Sequence, residues 1–433
     1  MDENLSLLIR NCVADYNNKK AIYQKMQDYY TGTTDVKLNY DALSDKNTRK
    51  IDCNFIKKFI KEECAYVLGN APTLATRSGD TKLTDRIDRN QYAWSEKHEK
   101  ELLTEALKFG ESYELYYIDP NETELTLKAK ICTPLDSYVY EDDYGVVKLF
   151  IRFYTKKFDL TQYFDVYTEN TVYTFKYVVS NEPLSETPNT IGRIPVSVCR
   201  IAKIEEKDTL YYDLKTLQDA FETNLSDSSN EISDFRNAYL MFLGAKVTEE
   251  FVEDMKTSGV ISNENPEAKV QWLIKNINDT FVKNTMNKTE DLIYQIANHI
   301  NNNEELVSNT SSLALRTRMI SLEFKCKYLM DSMKDCMKKR YKLLCELLNK
   351  ANNNFDYKDL IITFTPAIPN DDLLMANIVS QLGDKLCPET ALSLFSFINN
   401  PDQETQWAEE AYEKKLQLKQ KYDVTERKEP EEE

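Results

Sequence analysis

The sequence predicts an α+β fold that is mainly helical and divided into two or more packed regions. A length of 433 residues exceeds what one simple core organises. A hydrophobic share of 41%, with 27 Tyr and 18 Phe, supplies enough apolar surface to fold most of that length. The apolar periodicity changes twice along the chain, from helical to alternating and back.

Taken in order, apolar residues recur at helical spacing from Leu5 to Tyr30 (Leu8, Ile9, Val13, Ile22, Met26), and Thr31-Gly32 closes the run. A second amphipathic helix is expected from Asn54, a good N-cap, through Ile56, Phe59, Ile60 and Cys64 to Leu68, with Gly69 as its stop. A third is expected from about Thr84 to Phe109, stopping at Gly110. From Ser112 to Ile201 the pattern alternates and is rich in Tyr, Val, Phe and Thr. Turns at Asp119-Pro120-Asn121, Asp142 to Gly145 and Glu169-Asn170 cut it into a meander of antiparallel strands. No Gly or Pro occurs between Pro195 and Gly244, where helix returns. From Gly244 to Trp272 the chain reads as a small α/β insertion, with helix at Glu249 to Met255 and short strands at Val260-Ile261 and Lys269 to Leu273. A helix from about Asn278 to Ile300 and a polar, acidic loop follow. The clearest helix runs from Leu313 to Leu348, on a stripe of Leu315, Met319, Leu322, Cys326, Leu329, Met333 and Cys336. It would be roughly 55 Å long, which suits an elongated or ring-like subunit. A short strand at Leu360 to Phe364, helices over Asp371 to Ile398 and Asp402 to Lys419, and a charge-rich, disordered tail from Thr425 complete the expectation.

Composition narrows the function. The formal net charge is −17, whereas a protein that grips nucleic acid by its phosphates needs a basic surface. Two readings stay open: the chain does not meet DNA, or it lines a conduit that does not hold it. No stretch approaches eighteen consecutive apolar residues, so a spanning helix is excluded. The acidic start, Met1-Asp2-Glu3-Asn4, is unlike a signal peptide, and a protein made in and staying in a cytoplasm is expected.

Chemistry is mostly missing. The nine cysteines form no C-x-x-C pair, and reduced, hydrophobe-like thiols are expected. His98, within Trp94-Ser95-Glu96-Lys97-His98-Glu99, reads as solvated on a charged helical face. His299 reads as closing a helix, where the C-terminal position favours its cationic form. Neither histidine neighbours a nucleophile or a carboxylate pair suited to triad or zinc chemistry. No phosphate-binding loop or G-x-G-x-x-G turn is present, and nine glycines leave little room for one. Glu205-Glu206-Lys207 has the E-x-K spacing of a nuclease metal motif, which an acidic chain produces by chance. Glu141-Asp142-Asp143 reads as a solvated turn. No catalytic residue, metal ligand or cofactor is assigned, and the expectation is a protein that is not an enzyme.

Several segments together resemble the portal proteins of tailed phages, of the branch found in long-tailed phages of Gram-positive bacteria. Tyr29-Tyr30-Thr31-Gly32 closes the opening helix as a "YYxG". Asn54-Phe55-Ile56 with Tyr66-Val67-Leu68-Gly69-Asn70-Ala71-Pro72 is similar to "N-x-I … Y-L-G-x-P". Ala106 to Leu115 carries the G-x-a-Y-E-L entry into the strands, and Gly192-Arg193-Ile194-Pro195-Val196 is like "fG-x-iPv". Leu217 to Phe221 with Leu225 to Asn230 and Ala238-Tyr239-Leu240, and Ser308 to Leu315 before the long helix, complete the set. Relatives often carry Gly where Ser311 and Ser312 stand, which bears on the local shape of that loop.

The resemblance implies a portal fold of wing, stem, clip and crown in a dodecameric ring. The wing would take 1–212 with the long helix and strand of 313–369. The stem helices would be 213–244 and 278–300, the clip 245–277, the tunnel loop 301–312, the crown 370–424, and 425–433 the tail. Asn303, Glu304, Glu305, Ser308 and Asn309 would face DNA from the tunnel loop. Lys283 and Lys288 are candidate lumen residues of the second stem helix, with inter-subunit salt bridges as their other reading. Glu249, Glu250, Lys256 and Trp272 are candidate partner contacts on the clip. Implied partners are double-stranded DNA in the channel, the terminase large subunit, a head-completion or adaptor protein, and the major capsid and scaffold proteins, with no membrane. The other reading of the same composition is a cytosolic, non-catalytic helical scaffold or adaptor.

Overall fold

The computed structural model describes residues 2–41, 48–92, 94–120, 125–177, 182–235, 239–243, 248–258, 269–273, 279–301, 312–350, 353–366, 372–395, 398 and 401–426. They form two compact units: Met1–Asn309 with Leu315–Pro366, and Thr310–Ala314 with Ala367–Glu433.

The first unit opens with α1 (Glu3–Thr31), which ends where Gly32 takes a left-handed φ of 83° and donates to Asp28 and Tyr29 carbonyls. After α2 (Asp35–Asn39), α3 (Phe55–Leu68) starts at the expected Asn54, whose side chain accepts from the Lys57 N–H. Gly69 stays right-handed (φ −61°), so the helix is stopped instead by the Asn70-Ala71-Pro72 turn into β1 (Thr73–Thr76). The single helix expected over 84–109 is two, α4 (Lys82–Gln91) and α5 (His98–Phe109). Ser95 breaks it: its hydroxyl accepts from the Lys97 N–H and its carbonyl from the His98 N–H, while Trp94 Nε1 donates to the Leu127 carbonyl.

The expected meander resolves into two antiparallel sheets. One has the order β3 (Leu127–Cys132), β2 (Glu111–Ile118), β9 (Val196–Arg200). The other runs β4 (Ser137–Glu141), β5 (Val147–Thr155), β6 (Gln162–Tyr167), β7 (Thr171–Lys176), β8 (Ser185–Pro188). The split follows from β5. Leu149 and Ile151 pack with Ile9 and Cys12 of α1, while Phe150 between them packs with Tyr113, Leu115 and Val198 of the smaller sheet. A strand covered on both faces needs no polar side, so its apolar run is continuous.

Next come α6 (Leu210–Phe235), β10 (Tyr239–Leu243), α7 (Glu249–Ser258), β11 (Lys269–Leu273) and α8 (Asp279–Ala297). The helix expected through Leu243 stops at Phe235. The run Tyr239-Leu240-Met241-Phe242-Leu243 is too short to be told from a strand by periodicity, and it pairs with Lys269–Leu273. The expected strand at Val260-Ile261 lies outside the described residues. The long α9 (Ser312–Asn349) matches its expectation closely, and its Leu322, Cys326, Leu329, Met333 and Cys336 are buried. The strand β12 (Leu360–Thr363) pairs with β1. The second unit holds α10 (Asp372–Leu382), α11 (Pro388–Leu392) and α12 (Pro401–Glu426), the last longer than expected; 427–433 lie outside the described residues.

Candidate functional site

Two helices packed side by side, α6 and α8, carry a small α/β insertion between them. The β10–β11 ladder closes the far end, so α8 runs back along α6. On α8 the stripe Met286, Glu290, Ile293 and Ala297 turns inward to half-buried or buried positions. At 100° per residue, Lys288 lies roughly opposite that stripe, whereas Lys283 lies at its margin. Both are exposed, but about 140° apart, so the two cannot line one face together.

The inner face of α6 is polar, a feature that apolar periodicity does not reveal. Gln218, Glu222, Ser226 and Asn230 recur every four residues and are 0–5% exposed. Glu222, Ser226 and Asn230 bond the backbone of the segment between α2 and α3, and Gln218 bonds Glu222. Glu222 accepts from Gln218 Nε2 (2.9 Å), from the Thr34 hydroxyl (2.6 Å) and from the Cys53 N–H (3.1 Å). Ser226 Oγ accepts from the Ile51 N–H (3.0 Å), and Asn230 bonds both the N–H and the carbonyl of Arg49 (2.9 and 3.0 Å). Burial pushes the Glu222 carboxyl above the ordinary glutamate range, against the three donors that lower it. A sequence signal did exist: polar residues at i, i+4, i+8 and i+12 inside an amphipathic helix require buried partners.

At the end of α8, Asn298 takes a left-handed φ of 60°. The Asn298 N–H donates to the Gln295 carbonyl and the His299 N–H to the Tyr294 carbonyl, a Schellman cap. The cap delivers His299, 1% exposed at its side chain, between two carboxylates of α3: Nδ1 lies 2.8 Å from Glu62 and Nε2 3.1 Å from Glu63. The ring stacks on Phe59 at 4.3 Å. Lys325 of α9 reaches the same Glu63 at 2.7 Å and donates to the Ala297 carbonyl at 3.3 Å. One fully buried glutamate thus ties the residue that leaves α8 to the helix that follows. Glu63 was not anticipated, although an acid within the Phe59, Ile60 and Val67 stripe signals a buried partner.

A second knot holds α9 further along. Arg340, 1% exposed, donates through Nε to Glu114 of β2 (3.1 Å) and through Nη2 to Glu99 of α5 (3.1 Å). Its guanidinium lies 5.0 Å from the Trp94 ring. Glu114, wholly buried, also accepts from the Tyr116 hydroxyl (2.5 Å) and faces His98 Nε2 (2.6 Å). Burial alone would raise the Glu114 pKa, but Arg340 and His98 hold it well below the usual carboxylate range. The solvated reading of His98 is therefore wrong. The break at Ser95 makes His98 the first residue of α5 and turns it inward, under Trp94 (4.7 Å).

The remaining assignments fall as follows. Glu205 pairs with Lys19 at 2.7 Å and Glu206 accepts from the Lys203 N–H at 2.9 Å, so the E-x-K carboxylates serve a salt bridge and a helical cap. Among the described residues no group of three or more His, Cys, Asp or Glu is placed to hold a metal ion. All nine cysteines are free thiols, seven of them buried. Glu141 pairs with Arg200 (2.7 Å) and Asp142 caps its turn, so only Asp143 keeps the solvated role. Glu249 is exposed on α7; the side chains of Glu250, Lys256 and Trp272 lie outside the described residues, although their backbones belong to α7 and β11. Asn303, Glu304, Glu305, Ser308 and Asn309 lie outside them altogether. Among the described residues no helix is long and apolar enough to cross a membrane.

The buried carboxylates Glu63, Glu114 and Glu222 each join separate elements of the fold, so their charges and hydrogen bonds hold its shape. The family model for phage portal proteins, SPP1 Gp6-like, matches residues 9–417, and the chain belongs to that family. No curated protein matches it. Similar solved structures include the neck of an empty gene transfer agent (GTA) particle computed with C6 symmetry and the virion of a native GTA particle. The first is 9% identical with a TM-score of 0.42, covering 78% of this chain and 90% of that one. The second is 9% identical with a TM-score of 0.40, covering 78% and 88%.

Proposed function

We propose that the chain is the subunit of a dodecameric ring at one capsid vertex, the channel through which double-stranded DNA enters during packaging and leaves during ejection. Membership of the portal family over residues 9–417 supports the class. The observation that carries the layout is the helical hairpin of α6 and α8 around the β10–α7–β11 insertion. In this reading α6 and α8 are the stem and the insertion is the clip, which takes the terminase motor during packaging and head-completion proteins afterwards. The loop 301–312 reaches the DNA, and α10 to α12 form the crown. The ring is assembled in the host cytoplasm and resides in the virion.

Twelve copies at −17 would carry on the order of two hundred negative charges, which disfavours sticking of DNA to the walls. Lys288, opposite the packed stripe of α8, is the better lumen lysine of the two candidates. Negative-stain electron microscopy of the purified protein tests the ring: annular particles with a hole wide enough for duplex DNA are expected. Monomers or small dimers at every concentration and salt would overturn it. A Glu304→Lys, Glu305→Lys variant should package DNA poorly, and normal packaging would remove the loop from the lumen.

A further inference from the structure

One cavity of the first unit runs against the chain's net charge of −17. It measures about 190 Å³ and is lined by Arg77, Lys334, Lys338, Tyr341, Tyr357 and residues 360–362 of β12, so three cations face it and no carboxylate does. On α9, Lys334, Lys338 and Tyr341 are spaced by four and three and share a face. Lys334 also lies 5.9 Å from the Phe364 ring. Across the cavity, Thr76 of β1 pairs with Leu360 of β12, and the next N–H, that of Arg77, donates to the Asp359 carbonyl at 2.8 Å. The Asp359 carboxylate does not answer the arginine, because it accepts from the N–H (2.9 Å) and the hydroxyl of Ser78.

Among the described residues neither the Arg77 guanidinium nor the Tyr357 hydroxyl has a hydrogen-bond or ion-pair partner. Two aspartates flank the α9 side without lining the cavity. Asp331 is 3.9 Å from Lys334, beyond hydrogen-bond reach, and Asp335, 2.9 Å from Lys338, takes one of its three donors. Like charges gathered at one cavity repel unless an anion answers them. The volume sets the size of that anion. It is several times a water's share of about 30 Å³, yet below the roughly 300 Å³ at which sites for whole cofactors begin. A planar guanidinium, two ammonium groups and a hydroxyl offer more donors than a two-oxygen carboxylate can use, and they suit a tetrahedral phosphate. We propose that the cavity between α9 and the β1–β12 ladder is a phosphate-binding site. Arg77 grips two of the phosphate oxygens, Lys334 and Lys338 balance the charge, and the Tyr357 hydroxyl donates to the phosphate. The site stands whether or not the chain forms a ring.

Such a phosphate has two sources, the free anion and the backbone of duplex DNA, and the test separates them. Titration calorimetry of the full chain with inorganic phosphate, at constant ionic strength in chloride, should show saturable binding at one site per chain. Arg77→Gln and Lys334→Gln should each weaken that binding about tenfold or more. Lys339→Gln should leave it unchanged, because this exposed lysine follows Lys338 on α9 but does not line the cavity. All three side chains reach solvent, so the variants should keep the wild-type melting temperature. Binding of a short DNA duplex that weakens with the same two variants would identify the backbone as the source. Phosphate binding that the duplex does not displace would identify the free anion. No saturation with either probe, or an equal loss in all three variants, would overturn the site.

Discussion

Replacing Arg340 by Met would leave Glu114, fully buried, with His98, Tyr116 and the weak Cys336 thiol donor as partners, and Glu99 without its present cation. Breaking a buried, hydrogen-bonded pair by removing one member costs about 3–5 kcal/mol. Arg340 is 1% exposed and Glu114 wholly buried, so solvent screening offers no discount on that figure. Arg340→Lys should fall between, since one ammonium cannot serve two carboxylates with a planar fork. The double variant Arg340→Met, Glu114→Gln removes both buried charges and should recover more than half of the loss. Urea unfolding of the monomer, followed by far-ultraviolet circular dichroism, measures the loss. A loss below about 1 kcal/mol for Arg340→Met, as for an exposed pair, would refute the assignment of this knot as the anchor of α9.

Further outcomes are expected from the same geometry. Stability should fall in acid: the folded pKa of Glu114 is depressed by Arg340 and His98, and that of Asp35 to about 2 by Lys25 and Lys215. Their contribution is complete above the ordinary values of 4.5 and 3.8 and is lost as pH falls toward the folded ones; a urea midpoint flat from pH ~6 to ~3 would contradict this. Gly110→Ala should destabilise by about 1–3 kcal/mol, because the residue holds φ 88° and a Cβ would sit 2.7 Å from the Ala202 carbonyl oxygen; an unchanged melting temperature would refute it. Lys325→Ala should speed amide exchange at Asn298 and His299 at least tenfold, by freeing the Ala297 carbonyl and half of the Glu63 clamp; equal protection would show that the Schellman cap stands alone.

Much of the scaffold was legible because local rules decided it. Asn54 capped α3, Gly32 and Gly110 closed their helices, and the four-three stripe of α9 marked a helix to within a residue at each end. Legibility failed where a distant partner decided. Residues 239–243 became strand only because 269–273 came back to meet them. His98 looked solvated in a run of charges, and only the turn at Ser95 and the arrival of Arg340 from 242 residues away put it in the interior. The polar face of α6 was visible as letters but not as contacts, since its partners lie some 170 to 190 residues earlier. The stem, clip and tunnel-loop assignments came from resemblance, and periodicity could supply only the helices on which they stand.

The two charge knots on α9 have a mechanical consequence. Lys325 and Arg340 are fifteen positions apart, about 22 Å along the axis, and each is pinned to a different partner: Glu63 of α3 and Glu114 of β2. Between them the helix is a beam on two supports. On the N-terminal side of Lys325 the same helix continues to Ser312. A sideways load arriving from that side would meet the Lys325–Glu63 pin first, where the carboxylate has no access to water. The farther pin, on β2, would hold its strand in place while the nearer one takes the load.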